Sequence, residues 1–460
     1  MDAEVAIARN AVNLRYEDLP SEVVEITKRQ ILDVLGVIAG ASTMGEGSKE
    51  IVNLLKESGA KGKSTIIGYG GRLPSWMAGF ANGSMAHELD YDDFGGGHPG
   101  ICTVPAAFAV AEEVGGIDGK EFITAVAMAV DLICRMEAAV SRSKDVSPLD
   151  FDWFRPMLLG YFSATAAAGR ILGLNEGQML DAFAHIYQQA SGNNQFSYSR
   201  GSVFRAIRNG FSTKAGILSA LMAQRGLPGS RDSLEGKAGF YNVYFRGAYE
   251  RSYLTDELGK RFENTKVGFK AWPACRGVTH APIDATLGIL REHNIPHGDL
   301  EEISVSVREH MDYYVADLDA RRRPRTVIDA KISIPFVLGV AAIRRNVVLK
   351  DFTPNGLADS AVLQMAKKVT MKIDPKLKDA RLETMVEIKT KDGKRHSKGV
   401  DFAYGDFRKP LPKEDLFAKF RDCVSYSSKP ISKDKVEKII NMASRLEEAR
   451  DVSQIIRLLG

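Results

Sequence analysis

The sequence predicts a multidomain protein of α and α+β type, with a large all-helical domain and a smaller α+β domain. Three observations carry this expectation. At 460 residues the chain exceeds the roughly 250–300 at which one core stops growing. Apolar residues recur at helical spacing through most of the first 260 residues, where strand signals are nearly absent. After about Lys266 the pattern turns to alternation and to strands linked by a turn. The expected boundaries are 1–265 for the helical domain, 266–404 for the α+β domain, and 405–460 for helices that return to the first.

Taken in order, helical spacing marks Val23 to Ile38, Trp76 to Leu89, Gly119 to Val140 and Gly160 to Leu172. The small residues Ala164 to Ala168 and Gly169 read as a surface for close helix packing. His185, on a mostly apolar helix, reads as a core histidine. Glu302 to Val307 alternates as a strand, and Ile328 to Ala342 and Asp359 to Lys368 read as helices. Val369 to Ile373 is a second strand. Thr384 to Thr390 and Lys394 to Phe402, joined by Lys391-Asp392-Gly393, read as a hairpin. Pro410, Pro412 and Pro430 punctuate the return to helix, and Lys433 to Leu459 reads as a charged amphipathic tail that packs on the helical domain. No internal repeat or low-complexity segment stands out.

Hydrophobic residues at 44% and charged residues at 26% fit a globular chain with a large core. The formal charge of +4 is too small for an electrostatic nucleic-acid binder of this length, and no basic stripe interleaves with aromatics. Nucleic acid is therefore not an expected partner. Cys102, Cys134, Cys275 and Cys423 are scattered without CxxC spacing, as expected of free thiols in a reducing compartment, and a cytoplasmic location follows. Asp2 and Glu4 stand where a secretory leader would carry basic residues, and the apolar stretch Val34 to Ala41 is too short to span a membrane.

The densest chemistry lies in residues 87–100, His-Glu-Leu-Asp-Tyr-Asp-Asp-Phe-Gly-Gly-Gly-His-Pro-Gly. On a continuing helix His87 and Asp90 would share a face, with Asp92 and Asp93 extending the charge to where Gly95, Gly96 and Gly97 end it. Pro99 is expected to hold His98 in an extended backbone. A histidine beside an aspartate can be tuned to exchange protons near neutral pH. Two other readings remain open: Asp92 and Asp93 cap a helix end, or His87, Asp90 and His98 ligate a divalent cation.

Several segments form a series of motifs in order along the chain. The most specific runs from Ala81-Asn82-Gly83 through Ala86-His87-Glu88-Leu89-Asp90-Tyr91-Asp92-Asp93 to His98-Pro99-Gly100. Others are Ala166 to Leu174, Gln189 to Gly192, Ala223 to Leu227, Phe269 to Arg276, His280 to Ala285 and Val386 to Gly393. Taken in order, these segments resemble the MmgE/PrpD family, which includes 2-methylcitrate dehydratase, cis-aconitate decarboxylase and iminodisuccinate epimerase, and the resemblance covers nearly the whole chain. It implies a homodimer that needs neither metal nor cofactor, with its active site between an all-helical domain and an α+β lid.

The chemistry implied is proton removal next to a carboxylate or carbonyl, followed by loss of water, loss of carbon dioxide, or reprotonation. Carried over residue by residue, Asp90, His98 and Lys270 are the catalytic candidates. Arg205, Arg208, Lys331 and Phe336 line a site for a small anionic carboxylate. A hydro-lyase of 2-methylcitrate dehydratase type is the leading expectation, with an epimerase, isomerase or decarboxylase of the family next, and a non-catalytic metabolite-binding paralogue as the reading from another class.

Three departures from the family pattern bear on the chemistry. A usual His-Pro-Thr segment is replaced by Trp153-Phe154-Arg155-Pro156-Met157, which removes a second imidazole. Arg205-Ala206-Ile207-Arg208-Asn209-Gly210 stands where Lys-Xaa-Leu-His-Xaa-Gly is common, exchanging an ammonium and an imidazole for guanidinium groups. Phe336 stands where a tyrosine often follows Ser-Ile-Pro. On residue types alone, Arg205 and Arg208 read either as a bidentate carboxylate grip or as a solvated face. Lys270, between Phe269 and Trp272, is either a desolvated acid/base group or a stem laid on apolar surface. Cys275 and His280 read as packing residues, and Arg321-Arg322-Arg323 as a solvated loop.

Overall fold

The computed structural model describes residues 2–142, 152–198 and 202–460. It divides into two compact units, one formed by Met1–Val267 with Lys413–Gly460 and the other by Gly268–Pro412. The first is nearly all helix, and the second combines short helices with a four-stranded sheet. Among the described residues no helix is long and apolar enough to cross a membrane.

The first unit is organised around the helix Ser21–Met44, in which Gln30 to Ser42 are buried on every side. A helix apolar all round belongs in an interior, and here others close over it. The helix Lys413–Ser425 crosses it closely enough that a Cβ on Gly36 would sit 2.8 Å from Phe420 Cδ2, and one on Gly40 2.8 Å from the Cys423 carbonyl oxygen. Lys419 and Asp33 form a buried ion pair of 2.6 Å on the same seam. Lys413–Ser425 and the helices after it thus belong to the first unit. The tail is not one helix, however. It forms Lys433–Ser444, a 3-10 turn over Leu446–Glu448, and Ser453–Leu458. The break arises because Gly119 N–H donates to Ala449 O at 2.8 Å and Val452 N–H to Ile117 O at 2.9 Å, diverting the chain along the start of another helix.

The small-residue run lies in the helix Arg155–Ile171, where Ala164 to Ala168 are buried. A Cβ on Gly216 of the helix Asn209–Gln224 would come within 2.7 Å of Ala164 Cβ, so small side chains on both helices permit the contact. One buried charge ties together a less regular part. Arg135 donates to Asp131 Oδ2 at 2.6 Å, to the Tyr253 and Asp256 carbonyls at 3.1 and 2.9 Å, and to the Arg261 carbonyl. Asp131 also accepts from the Glu263 N–H at 2.6 Å. Arg135→Ala strands Asp131 and three carbonyls, so a loss of roughly 3–5 kcal/mol is expected in urea unfolding.

In the second unit the strand order is Val369–Ile373, Leu300–Val307, Thr384–Thr390, Arg395–Val400. The first pair is parallel and the other two antiparallel. Ile303, Val305, Val386 and Ile388 point into the core, against the helices Ala281–Glu292 and Ile334–Arg344. The helix expected over Ile328 to Ala342 is two helices, Val327–Lys331 and Ile334–Arg344. Ser333 causes the break: its hydroxyl accepts from Phe336 N–H at 3.1 Å as an N-cap, with Pro335 in the first turn.

Candidate active site

The helix containing Trp76 ends at Met85, four residues before its expected end at Leu89. Turns follow, with Asp90 N–H donating to His87 O at 2.9 Å and Asp90 itself in the left-handed region at φ 50°. The reason lies in the side chains. His87 Nδ1 is 3.0 Å from Asp92 Oδ1. On a regular helix residues five apart point about 140° away from each other and could not meet. His87 and Asp90 therefore do not share a helical face.

His98 also departs from expectation. Its φ is 55°, left-handed rather than extended, and Gly95, Gly96 and Gly97 before it have φ of 83°, 49° and 79°. For a residue before proline this is strained, on the order of 1–3 kcal/mol. Two contacts offset it: His98 Nδ1 lies 2.7 Å from Asp92 Oδ2 and 2.8 Å from the Asp93 carbonyl oxygen. The His87 and His98 rings meet edge to face with centroids 5.1 Å apart. Asp92 is wholly buried, whereas the His98 side chain is 25% exposed, so His98 is the member of this group open to a ligand.

Asp93 faces inward. Its Oδ2 accepts from the Gly100 N–H at 2.8 Å, in the first turn of the helix Gly100–Val114, and from Gln30 Nε2. Burial, and then the neighbouring Asp92 charge, raise its pKa to about 7.

Asp90 Oδ2 pairs with Arg205 Nη2 at 3.2 Å, and the Arg205 side chain is about a quarter exposed. Arg205 lies on the short helix Phe204–Ile207. Arg208 follows it but turns inward. Its guanidinium is fully buried over the Phe154 ring, 3.7 Å from the centroid, with Phe196 at 4.9 Å, and Nη1 donates to the Arg205 carbonyl. Among the described residues its Nε and Nη2 find no hydrogen-bond partner. Burial, and then Arg205, push its pKa well down. Phe154 thus serves as the platform for Arg208, while Arg155 is turned to Glu137 at 3.0 Å.

Lys270, Lys331 and Phe336 belong to the second unit, and all three are buried. The Lys331 carbonyl accepts from the Cys275 N–H at 3.0 Å, which brings the two lysine-bearing segments together. Phe336 packs in that unit's core, against Phe352. His280 is a packing residue there, its Nε2 3.1 Å from the Trp272 carbonyl oxygen. His185 is half-buried, with Nε2 3.0 Å from the Leu227 carbonyl oxygen, so it ties a loop to its helix rather than sitting in the core. Cys102, Cys134 and Cys423 are buried free thiols.

Among the described residues one group has the ligand types and proximity for a metal ion: His87, Asp92 and His98, with ligating atoms within 4.8 Å of one another. Asp92 therefore takes the place that the residue spacing assigned to Asp90. Asp92 is also a candidate that the resemblance passed over. Its signal was present in the sequence, as a carboxylate five residues after one histidine and six before another.

The MmgE/PrpD N-terminal domain matches residues 5–252 of this chain, and the MmgE/PrpD C-terminal domain matches residues 272–448. The chain belongs to the MmgE/PrpD family. Similar curated proteins include the cis-aconitate decarboxylase of Mus musculus, 26% identical over 97% of this chain and 91% of its own length. The cis-aconitate decarboxylase of Aspergillus terreus is 24% identical over 98% and 94%, and that of Homo sapiens 25% identical over 97% and 92%. The N-terminal match lies within the mostly helical unit, while the C-terminal match covers most of the small α+β unit and runs on into the helices after Lys413 that belong to the first.

Proposed function

We propose that this MmgE/PrpD protein is a lyase that works as a homodimer on a small polycarboxylate, by proton transfer at a carbon next to a carboxylate or carbonyl. The observation that carries the reading is the His98–Asp92 pair. A partly exposed imidazole fixed by a buried carboxylate is suited to take and return a proton. Arg205 gives the same loop a cation for a substrate carboxylate, with Asp90 orienting it. Lys270 and Lys331 are the cationic candidates of the second unit, and a fixed cation away from water stabilises developing carbanion charge more than one in solvent.

The names of the relatives favour decarboxylation over the dehydration that the resemblance ranked first. In that step the bond from carbon to the departing carboxylate breaks, carbon dioxide leaves, and the remaining electron pair accepts a proton that His98 Nε2 has first taken from solvent. Incubation with cis-aconitate, 2-methylcitrate and other di- and tricarboxylates in deuterated water, with a chelator present, tests the reading by NMR. Deuterium at the activated carbon is expected in one of them, together with bicarbonate release if decarboxylation is the reaction. No exchange in any carboxylate would overturn the proposal, and exchange that returns only when a divalent cation is added would make the His87–Asp92–His98 group a metal centre instead.

A further inference from the structure

We infer that Asp92 is a positioning residue that holds His87 and His98 in one tautomer, Nδ1 protonated, so that Nε2 is the basic nitrogen of each ring. Each Asp92 oxygen serves one imidazole, Oδ1 for His87 at 3.0 Å and Oδ2 for His98 at 2.7 Å. An ionised carboxylate has acceptors and no hydrogen, so both facing ring nitrogens must donate. For His98 a second contact gives the same answer independently: its Nδ1 also lies 2.8 Å from the Asp93 carbonyl oxygen, which can only accept.

The arrangement supplies what the backbone does not. His98 sits in a left-handed conformation after three left-handed glycines, so its ring direction depends on side-chain anchoring. With both oxygens engaged, Asp92 cannot rotate, and its buried charge stands beside His98 when Nε2 takes a proton. The proton stays on the imidazole, and the carboxylate stabilises the imidazolium without being protonated. The kinetic consequence rests on the proton-transfer reading above; the tautomer assignment does not.

The test uses full-length protein with 15N-labelled histidine and two-bond proton–nitrogen spectra, with signals assigned from His87→Gln and His98→Gln. In the unsubstituted protein both rings should show Nδ1–H. In Asp92→Asn the amide keeps one acceptor and gains one donor. His98 should keep its tautomer, because the Asp93 carbonyl still accepts from it, while the amide NH2 turns to His87 and forces it to Nε2–H. Turnover should fall by at least ~100-fold with KM changed by less than ~3-fold, and Asp92→Asn should cost nothing further in a His98→Ala background. A neutral ring with Nε2–H in place of Nδ1–H in the unsubstituted protein would overturn the inference even if Asp92→Asn failed to fold. So would an unchanged His87 tautomer in folded Asp92→Asn. If both tautomers come out as expected and His98→Ala keeps full turnover, it is the proton-transfer reading that falls.

Discussion

Replacing His98 with alanine is expected to lower turnover by roughly 10²–10⁴-fold, the usual contribution of a positioned general acid or base. Substrate affinity should change little. His98 is the partly exposed member of a buried group, and its loss leaves Asp92 still bonded to His87 and Arg205 still paired with Asp90. Arg205→Ala provides the contrast. It removes a charge-assisted contact made equally to ground state and transition state, so KM should rise by about 10- to 100-fold, or 1.5–3 kcal/mol, with turnover less affected. Steady-state kinetics on whichever carboxylate shows deuterium exchange separates the two. A rise in KM alone for His98→Ala would make it a substrate-holding residue.

The second large effect concerns Asp93 and stability. Its folded pKa of about 7 lies above the ordinary 3.8, so the folded state holds this proton more tightly than the unfolded chain. The contribution to stability is therefore greatest below about pH 4, declines as pH rises, and is lost above about pH 7. The span is at most roughly 4 kcal/mol, taking 1.36 kcal/mol per pKa unit. Asp93→Asn has the shape of the protonated acid and cannot ionise, and its oxygen can keep accepting from Gly100 N–H and Gln30. It should match the unsubstituted protein in urea unfolding near pH 4 and exceed it by up to that span at pH 8. A constant difference between the two across this range would show that Asp93 is ionised in the folded protein throughout.

Much of the architecture was legible because periodicity reports burial directly. Val23 to Ile38 lies wholly inside a longer helix, and Glu302 to Val307, Val369 to Ile373 and Thr384 to Thr390 form the strands expected of them. The misreadings share one cause. In Trp76 to Leu89, Ile328 to Ala342 and Lys433 to Leu459 the pattern ran on past points where one polar contact or one neighbouring backbone turned the chain. Ser333 capping a new helix is the clearest, and Ser-Ile-Pro carried that signal.

The candidate site was legible in its residue types and less so in its pairings. His87, Asp90, Asp92, Asp93 and His98 all stood out together, yet which aspartate meets which histidine depends on the left-handed backbones of Asp90 and His98. Helical spacing pairs His87 with Asp90, whereas the turns deliver it to Asp92 and leave Asp90 for Arg205. Arg208 shows the same limit, since three-residue spacing from Arg205 said nothing of the two phenylalanine rings that receive it.

The seam at Gly36 and Gly40 bears on how the chain is made. The groove those glycines open is filled by Lys413–Ser425, which leaves the ribosome only after the whole segment Gly268–Pro412. About 380 residues separate Met44 from Ser425, so at 5–20 residues per second the long first helix waits roughly 20–80 s for its cover. During that interval its apolar surface and the buried-to-be Asp33 face solvent or a chaperone. A chain that stops before Lys413 stays in that state, so nascent chains released at that point should aggregate or remain chaperone-bound, while those extended past Ser425 can close the helical unit.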